Sequence, residues 1–190
     1  MAEIEGLVRD LREGDDAAKT AAARTLRDLA WDNDANEVLI AEAGGIAPLV
    51  ELLRAGSAEA KAQAAWALGN LAHNDANKVL IAEAGGVPLL VELLRDGSAA
   101  ANWHAAWVLR RLAHNYDANA VAIAAAIGFD ALVQLARGGD VTVDSHSVVE
   151  DAGVPAKREA ALVVVALLRD YVPEFNSVPD VLMAAIVSYL

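Results

Sequence analysis

The chain has no cysteine among its 190 residues. That excludes disulfides, thiolate zinc sites and cysteine nucleophiles. Aromatic residues make up only 5% of it, and β-branched residues form no alternating runs, which argues against a sheet protein. Basic residues are also few: 15 Lys and Arg stand against 27 Asp and Glu, a formal charge of −12. Phosphate recognition needs clustered cations, so nucleic acid and an anionic membrane surface are excluded as expected partners. The longest apolar stretches are alanine-rich and broken by glycine or charge, too short for a membrane span. The opening Met1-Ala2-Glu3-Ile4-Glu5 is acidic and lacks the apolar centre of a signal peptide.

What the chain does have is a 56% hydrophobic composition rich in alanine, suited to helices that approach closely. It also repeats itself. Val-Leu-Ile-Ala-Glu-Ala-Gly-Gly occurs at 38–45 and again at 79–86, and Leu-Val-Glu-Leu-Leu-Arg at 49–54 and 90–95. Gly-Ser-Ala, Ala-Ala-Trp and Leu-Ala-His-Asn then follow in both copies. Roughly two thirds of aligned positions are identical at a period of about 41 residues, within the range of helical repeat arrays.

Each unit reads as three helices. In the first full copy, helix one covers about Asn36 to Ala43, with Asp34 as its N-cap and Glu37 completing a capping box. Gly44-Gly45 ends it. Helix two runs from about Ala47 to Ala55, with Pro48 in its first turn and Leu49, Leu52 and Leu53 as its buried stripe. Ser57 caps helix three, about Ala58 to His73, which turns Ala65, Leu68, Leu71 and Ala72 inward. No unit covers its own apolar faces, so the units must stack. We expect one domain over 1–190. It comprises a partial first repeat of two helices (3–34), repeats at 35–75 and 76–117, and a divergent repeat at 118–171 with an insertion near 139–155. A C-terminal capping helix at 178–190 follows.

Ala64-Ala65-Trp66-Ala67-Leu68-Gly69-Asn70-Leu71-Ala72 resembles the third-helix signature of armadillo repeats of the importin-α type, related to those of β-catenin. Glu83-Ala84-Gly85-Gly86-Val87-Pro88-Leu89-Leu90 resembles that family's join between helices one and two. The resemblance spans about Ile4 to Arg169. It implies an all-α, right-handed superhelical solenoid of three-helix repeats. It also implies a non-catalytic scaffold inside the cell, cytoplasmic or nuclear, that needs no cofactor and takes a protein or extended peptide in a concave groove lined by third helices. In that family the Trp stacks on peptide side chains and the Asn one turn later bonds the peptide main chain. Residues four apart share a helix face, so a flat indole beside an amide suits an extended backbone.

The Trp and Asn slots hold Trp66 and Asn70 in one unit and Trp107 and Arg111 in the next, with Trp103 extending the aromatic stripe. In the partial first repeat they hold Arg24 and Asp28, and in the last Leu162 and Ala166. Trp66, Asn70, Trp103, Trp107, Arg111, Arg24 and Asp28 are therefore the candidate peptide-binding residues, and arginine in two slots disfavours a run of Lys or Arg there. Trp31 lies just past a third helix and is open to packing or binding. No catalytic constellation survives inspection. Asp32-Asn33-Asp34-Ala35-Asn36 has Glu37 and Ala43 where a calcium loop needs Gly and Glu. Asp144-Ser145-His146 has triad letters without triad geometry. His73 and His114, at equivalent repeat positions, read as helix-end residues, and no metal site is expected.

A second reading is structural. With helix one of the first repeat absent, Ile4, Leu7, Val8 and Leu11 are expected to form an open apolar edge through which two chains pair. Near-identity of two units also suits a fragment or a designed variant of a longer array.

Overall fold

The computed structural model describes residues 1–114 and, beyond them, Tyr116, Ala118, Asn119, Ala122, Ile123 and Ala126. The insertion near 139–155, the capping helix at 178–190, the slots at Leu162 and Ala166 and most of the repeat at 118–171 lie outside these residues. The described elements are α1 (Ala2–Glu13), α2 (Asp16–Ala30), α3 (Asp34–Glu42), α4 (Ile46–Ala55), α5 (Ala58–Leu71), α6 (Asp75–Glu83), α7 (Gly86–Asp96) and α8 (Ala99–Ala113). Among the described residues there is no strand.

Local chemistry sets the helix starts. The side chains of Ser57 and Ser98 accept the amides of Ala60 and Ala101, so α5 and α8 begin as the sequence predicts. The start of α3 differs. Asn33, one residue earlier than the expected Asp34, caps it by accepting the Asn36 amide, and Asn74 does the same for α6. Glu37 therefore completes no capping box and is buried instead. The turns after α3 and α6 pass through the left-handed region at Gly44 (φ +73°) and Gly85 (φ +79°), where a side chain would be strained.

The third helices α2, α5 and α8 stand side by side and carry the core. Leu26, Leu68 and Leu109, equivalent by repeat, are each fully buried, with Ala22, Ala23, Ala64, Ala65, Ala105 and Ala106 allowing close approach around them. Each such leucine contributes roughly 2 to 3 kcal/mol. An asparagine fastens each unit to the one before it. The amides of Asn36, Asn77 and Asn119 donate to the carbonyls of Leu29, Leu71 and Leu112, each in the last turn of the preceding third helix, at 2.8, 3.1 and 3.0 Å. These carbonyls have no partner within their own helix, so one asparagine satisfies the helix end and sets the joint. Asn77 also reaches the Glu37 carbonyl at 3.2 Å, linking successive first helices.

The expected open edge at the N-terminus is not what the structure shows. Ile4, Val8 and Leu11 are buried within the chain's own core, and Leu7 is half-buried against it. The reason is that α1 packs not only on α2 but also on α3 and α4. Arg12 donates to the Gly44 carbonyl at 3.1 Å, which pins α1 to the turn between them. The exposed apolar surface on which pairing through these four residues depended is therefore already covered.

Candidate functional site

The face shared by α2, α5 and α8 brings the candidate residues together. Trp66 lies between its neighbours' side chains. The Arg27 guanidinium from α2 sits 4.3 Å over its ring, and the His104 imidazole from α8 stacks on it at 4.6 Å with planes 20° apart. His104 meets Trp103 edge-on at 5.1 Å, Trp103 stacks with Trp107 at 6.2 Å, and the Arg111 guanidinium lies 4.5 Å over Trp107. The result is one continuous row: Arg27, Trp66, His104, Trp103, Trp107, Arg111. Residues 103, 107 and 111 follow one face of α8 because each is four after the last. Guanidinium over indole is attractive because the ring face is negative.

Within this row the indoles differ in access. Trp66 and Trp107 are half-buried, and Trp103 is 46% exposed. Trp107 fits because residue 69 is glycine: a Cβ there would overlap the six-membered ring of Trp107. The sequence also left Trp31 open, and the structure leaves it 62% exposed.

The Asn slot has a use the sequence did not reveal. Asn70 is buried, and its amide donates to the Arg27 carbonyl of α2 at 2.9 Å. Arg111, the equivalent residue one unit on, donates to the Gly69 carbonyl of α5 at 3.2 Å, and Gly69 is the repeat equivalent of Arg27. In both units the slot residue ties its helix to the preceding third helix. Arg24 and Asp28 are also engaged within the chain. Arg24 pairs with Glu59 across α2 and α5, and Asp28 accepts from Arg27 at 2.6 and 2.8 Å. Arg27 in addition holds Gln63 of α5 at 2.6 Å.

Sequence reasoning missed Arg27 and His104. The signal for His104 was available, since it stands between Trp103 and the Trp107 turn on a face already marked as aromatic. Burial, with a contribution from the Arg27 charge, lowers the His104 pKa to about 4, so its ring is neutral at pH 7. Its Nδ1 is buried with no hydrogen-bond partner.

Two cavities flank the row. One, of about 490 Å³, lies at its Arg111 end and is lined by Lys78, Arg110, Arg111, His73 and His114 together with Asp75 and Trp107. The Lys78 ammonium is committed there to Asp75 at 2.7 Å and to the His114 carbonyl at 3.1 Å, and this bond lowers the Asp75 pKa. The other, of about 340 Å³, is lined by Trp31, Asp32, Glu37, Asn70, His73 and Arg111. Among the described residues no helix is long and apolar enough to cross a membrane.

Comparison with known proteins bears directly on this arrangement. The Armadillo/beta-catenin-like repeat family matches residues 33–73 and 74–114. No curated protein sequence matches the chain. Among solved structures, an engineered protein from the Northeast Structural Genomics Consortium is 31% identical over 100% of this chain and 68% of its own, with a TM-score of 0.69. A second engineered protein from the same consortium is 27% identical over 100% of this chain and 71% of its own, with a TM-score of 0.71. A designed armadillo repeat protein in complex with the peptide (KR)4 is 24% identical, covers 98% of this chain and 80% of its own, and has a TM-score of 0.63.

Proposed function

Because the chain belongs to the armadillo/β-catenin-like repeat family, with an all-helical armadillo solenoid fold, we propose that it is a non-catalytic scaffold binding a protein or extended peptide on the concave face of its third helices. The observation that carries this reading is the continuous row from Arg27 to Arg111, which crosses α2, α5 and α8 and leaves Trp103 exposed at its middle. An exposed indole braced by stacked neighbours is pre-ordered to grip a partner side chain at little entropic cost.

The contacts differ from those the family resemblance implies. The Asn70 amide and the Arg111 guanidinium already hold carbonyls of the neighbouring helices, so they are poor providers of a main-chain ladder for the peptide. Trp66 has Arg27 and His104 against its ring. Recognition therefore centres on Trp103 and the edge of Trp107, which suit an aliphatic or aromatic side chain. Arg110 and Arg111 beside the larger cavity favour an acidic residue next to it. This preference is opposite in sign to the (KR)4 peptide carried by the designed relative.

Selection from a random linear-peptide library, followed by titration of the recovered peptide, tests the reading. Trp103→Ala should weaken binding by about tenfold or more, while the melting temperature changes little, since nearly half of the side chain is already in water. Recovery of no binder, or of binders indifferent to Trp103→Ala, removes the groove as the binding face.

A further inference from the structure

At the rim of the smaller cavity, three side chains converge from two elements. Asp34 and Glu37 stand in the first turn of α3, three residues apart and so on one face, and His73 follows the end of α5. His73 Nδ1 is 3.5 Å from Asp34 Oδ1 and 3.5 Å from Glu37 Oε1, and one ligand atom from each of the three lies within 4.8 Å of the others. We propose that Asp34, Glu37 and His73 form a binding site for a divalent transition-metal ion of the zinc type.

Acidic residues in a first helical turn are commonplace, because they suit the helix dipole. Glu37 goes beyond that. It is only 2% exposed, and its Oε2 is buried with no hydrogen-bond partner. A carboxylate oxygen in that position is costly unless a cation satisfies it.

The next unit serves as an internal control. There the sequence reads Asp75-Ala76-Asn77-Lys78 where the first reads Asp34-Ala35-Asn36-Glu37, and His114 stands in the place of His73. Lys78 is buried like Glu37, but its own ammonium supplies the positive charge, bonded to Asp75 at 2.7 Å. The first unit has the same frame with a second carboxylate in place of that ammonium, and the group facing both carboxylates is the His73 imidazole, at 3.5 Å from each. A metal ion held by all three satisfies the pair more fully than the imidazole alone.

Spacing decides which cation. Ligand atoms at 2.0 to 2.1 Å around a tetrahedral zinc ion stand roughly 3.3 to 3.4 Å apart. Acceptors arranged around an ammonium at about 2.8 Å stand roughly 4.6 Å apart. The two separations of 3.5 Å to His73 match the metal and are too short for a lysine side chain of a bound peptide. Three protein ligands leave a fourth position, which the cavity has room to fill with water. Arg111 lines the same cavity and its charge weakens the site relative to a closed four-ligand one.

The test is calorimetric titration of the chelator-treated chain with Zn2+ alone, paired with thermal unfolding. The expected result is one saturable site per chain and a melting temperature that rises with Zn2+. Glu37→Lys and His73→Ala should each weaken binding by about tenfold or more. His114→Ala, at the equivalent place in the next unit, should leave it unchanged. Glu37→Lys is the decisive variant, because Lys78 shows that this position accepts lysine in the same fold, so lost binding cannot be ascribed to unfolding. Absence of saturable binding, or a site that survives Glu37→Lys, overturns the proposal.

Discussion

The units α3–α5 and α6–α8 share most of their sequence, and the contrast between them separates what builds the stack from what distinguishes its face. The joints are the same in both. Asn33 and Asn74 cap the first helices, Ser57 and Ser98 cap the third, and Asn36 and Asn77 fasten each unit to the previous third helix. Four of the differences fall on the shared face and its rim: Ala62 becomes Trp103, Gln63 becomes His104, Asn70 becomes Arg111 and Glu37 becomes Lys78. Even there, one replacement keeps its structural task, since Arg111 makes the same cross-helix bond as Asn70. The shared caps and joints therefore build the architecture, and these four replacements give each rung its own chemistry, while changes such as Ile46 to Val87 and Ala67 to Val108 repack the core.

The sharpest way to strain this contrast is pH. His104 is neutral in the folded chain down to about pH 4, whereas an unfolded histidine takes up a proton near 6.5. Above 6.5 both states are neutral and the group contributes nothing. As pH falls from 6.5 to 4, protonation favours the unfolded chain, and the destabilisation reaches about 3 kcal/mol. Urea denaturation across that window should show the loss, and His104→Gln, which restores the residue of the preceding unit, should flatten it.

The two junctions on the face should also answer differently to an equivalent change. Gly69→Ala puts a Cβ into the ring of Trp107 and should cost about 2 kcal/mol. Arg27→Ala, at the same repeat position on α2, removes a guanidinium from Trp66 and a bond to Gln63 and should cost about 1 kcal/mol. Equal effects from the pair would mean that the junctions are packed alike. The smallest expected effect is at the Arg24–Glu59 ion pair. Both side chains are more than half exposed, so Arg24→Gln should change stability by less than about 0.5 kcal/mol.

Periodicity made the three-helix unit, the serine caps and the stacking of third helices readable in the sequence, because each follows from one-dimensional spacing. It also placed Trp66, Trp103, Trp107 and Arg111 on one face. What it could not show is which long side chain reaches across a junction. Arg27 covers Trp66 and His104 stacks on it from positions 39 residues before and 38 after, and their rotamers decide the contact. The same limit hid the Asn70 bond to Arg27 and the burial of Ile4, Val8 and Leu11, which depends on the angle at which α1 returns to α3 and α4. The N-cap one residue before Asp34 was a choice between adjacent capping residues that propensity alone does not resolve.

The central claim is that a partner is read by the row centred on Trp103. The chain's four tryptophans give four indole N–H signals in a 15N–1H correlation spectrum, assignable by single substitutions. On titration with a selected peptide, the account predicts that the Trp103 signal shifts most, with Trp107 next and Trp66 little changed. Saturable binding that leaves both Trp103 and Trp107 unmoved would contradict it.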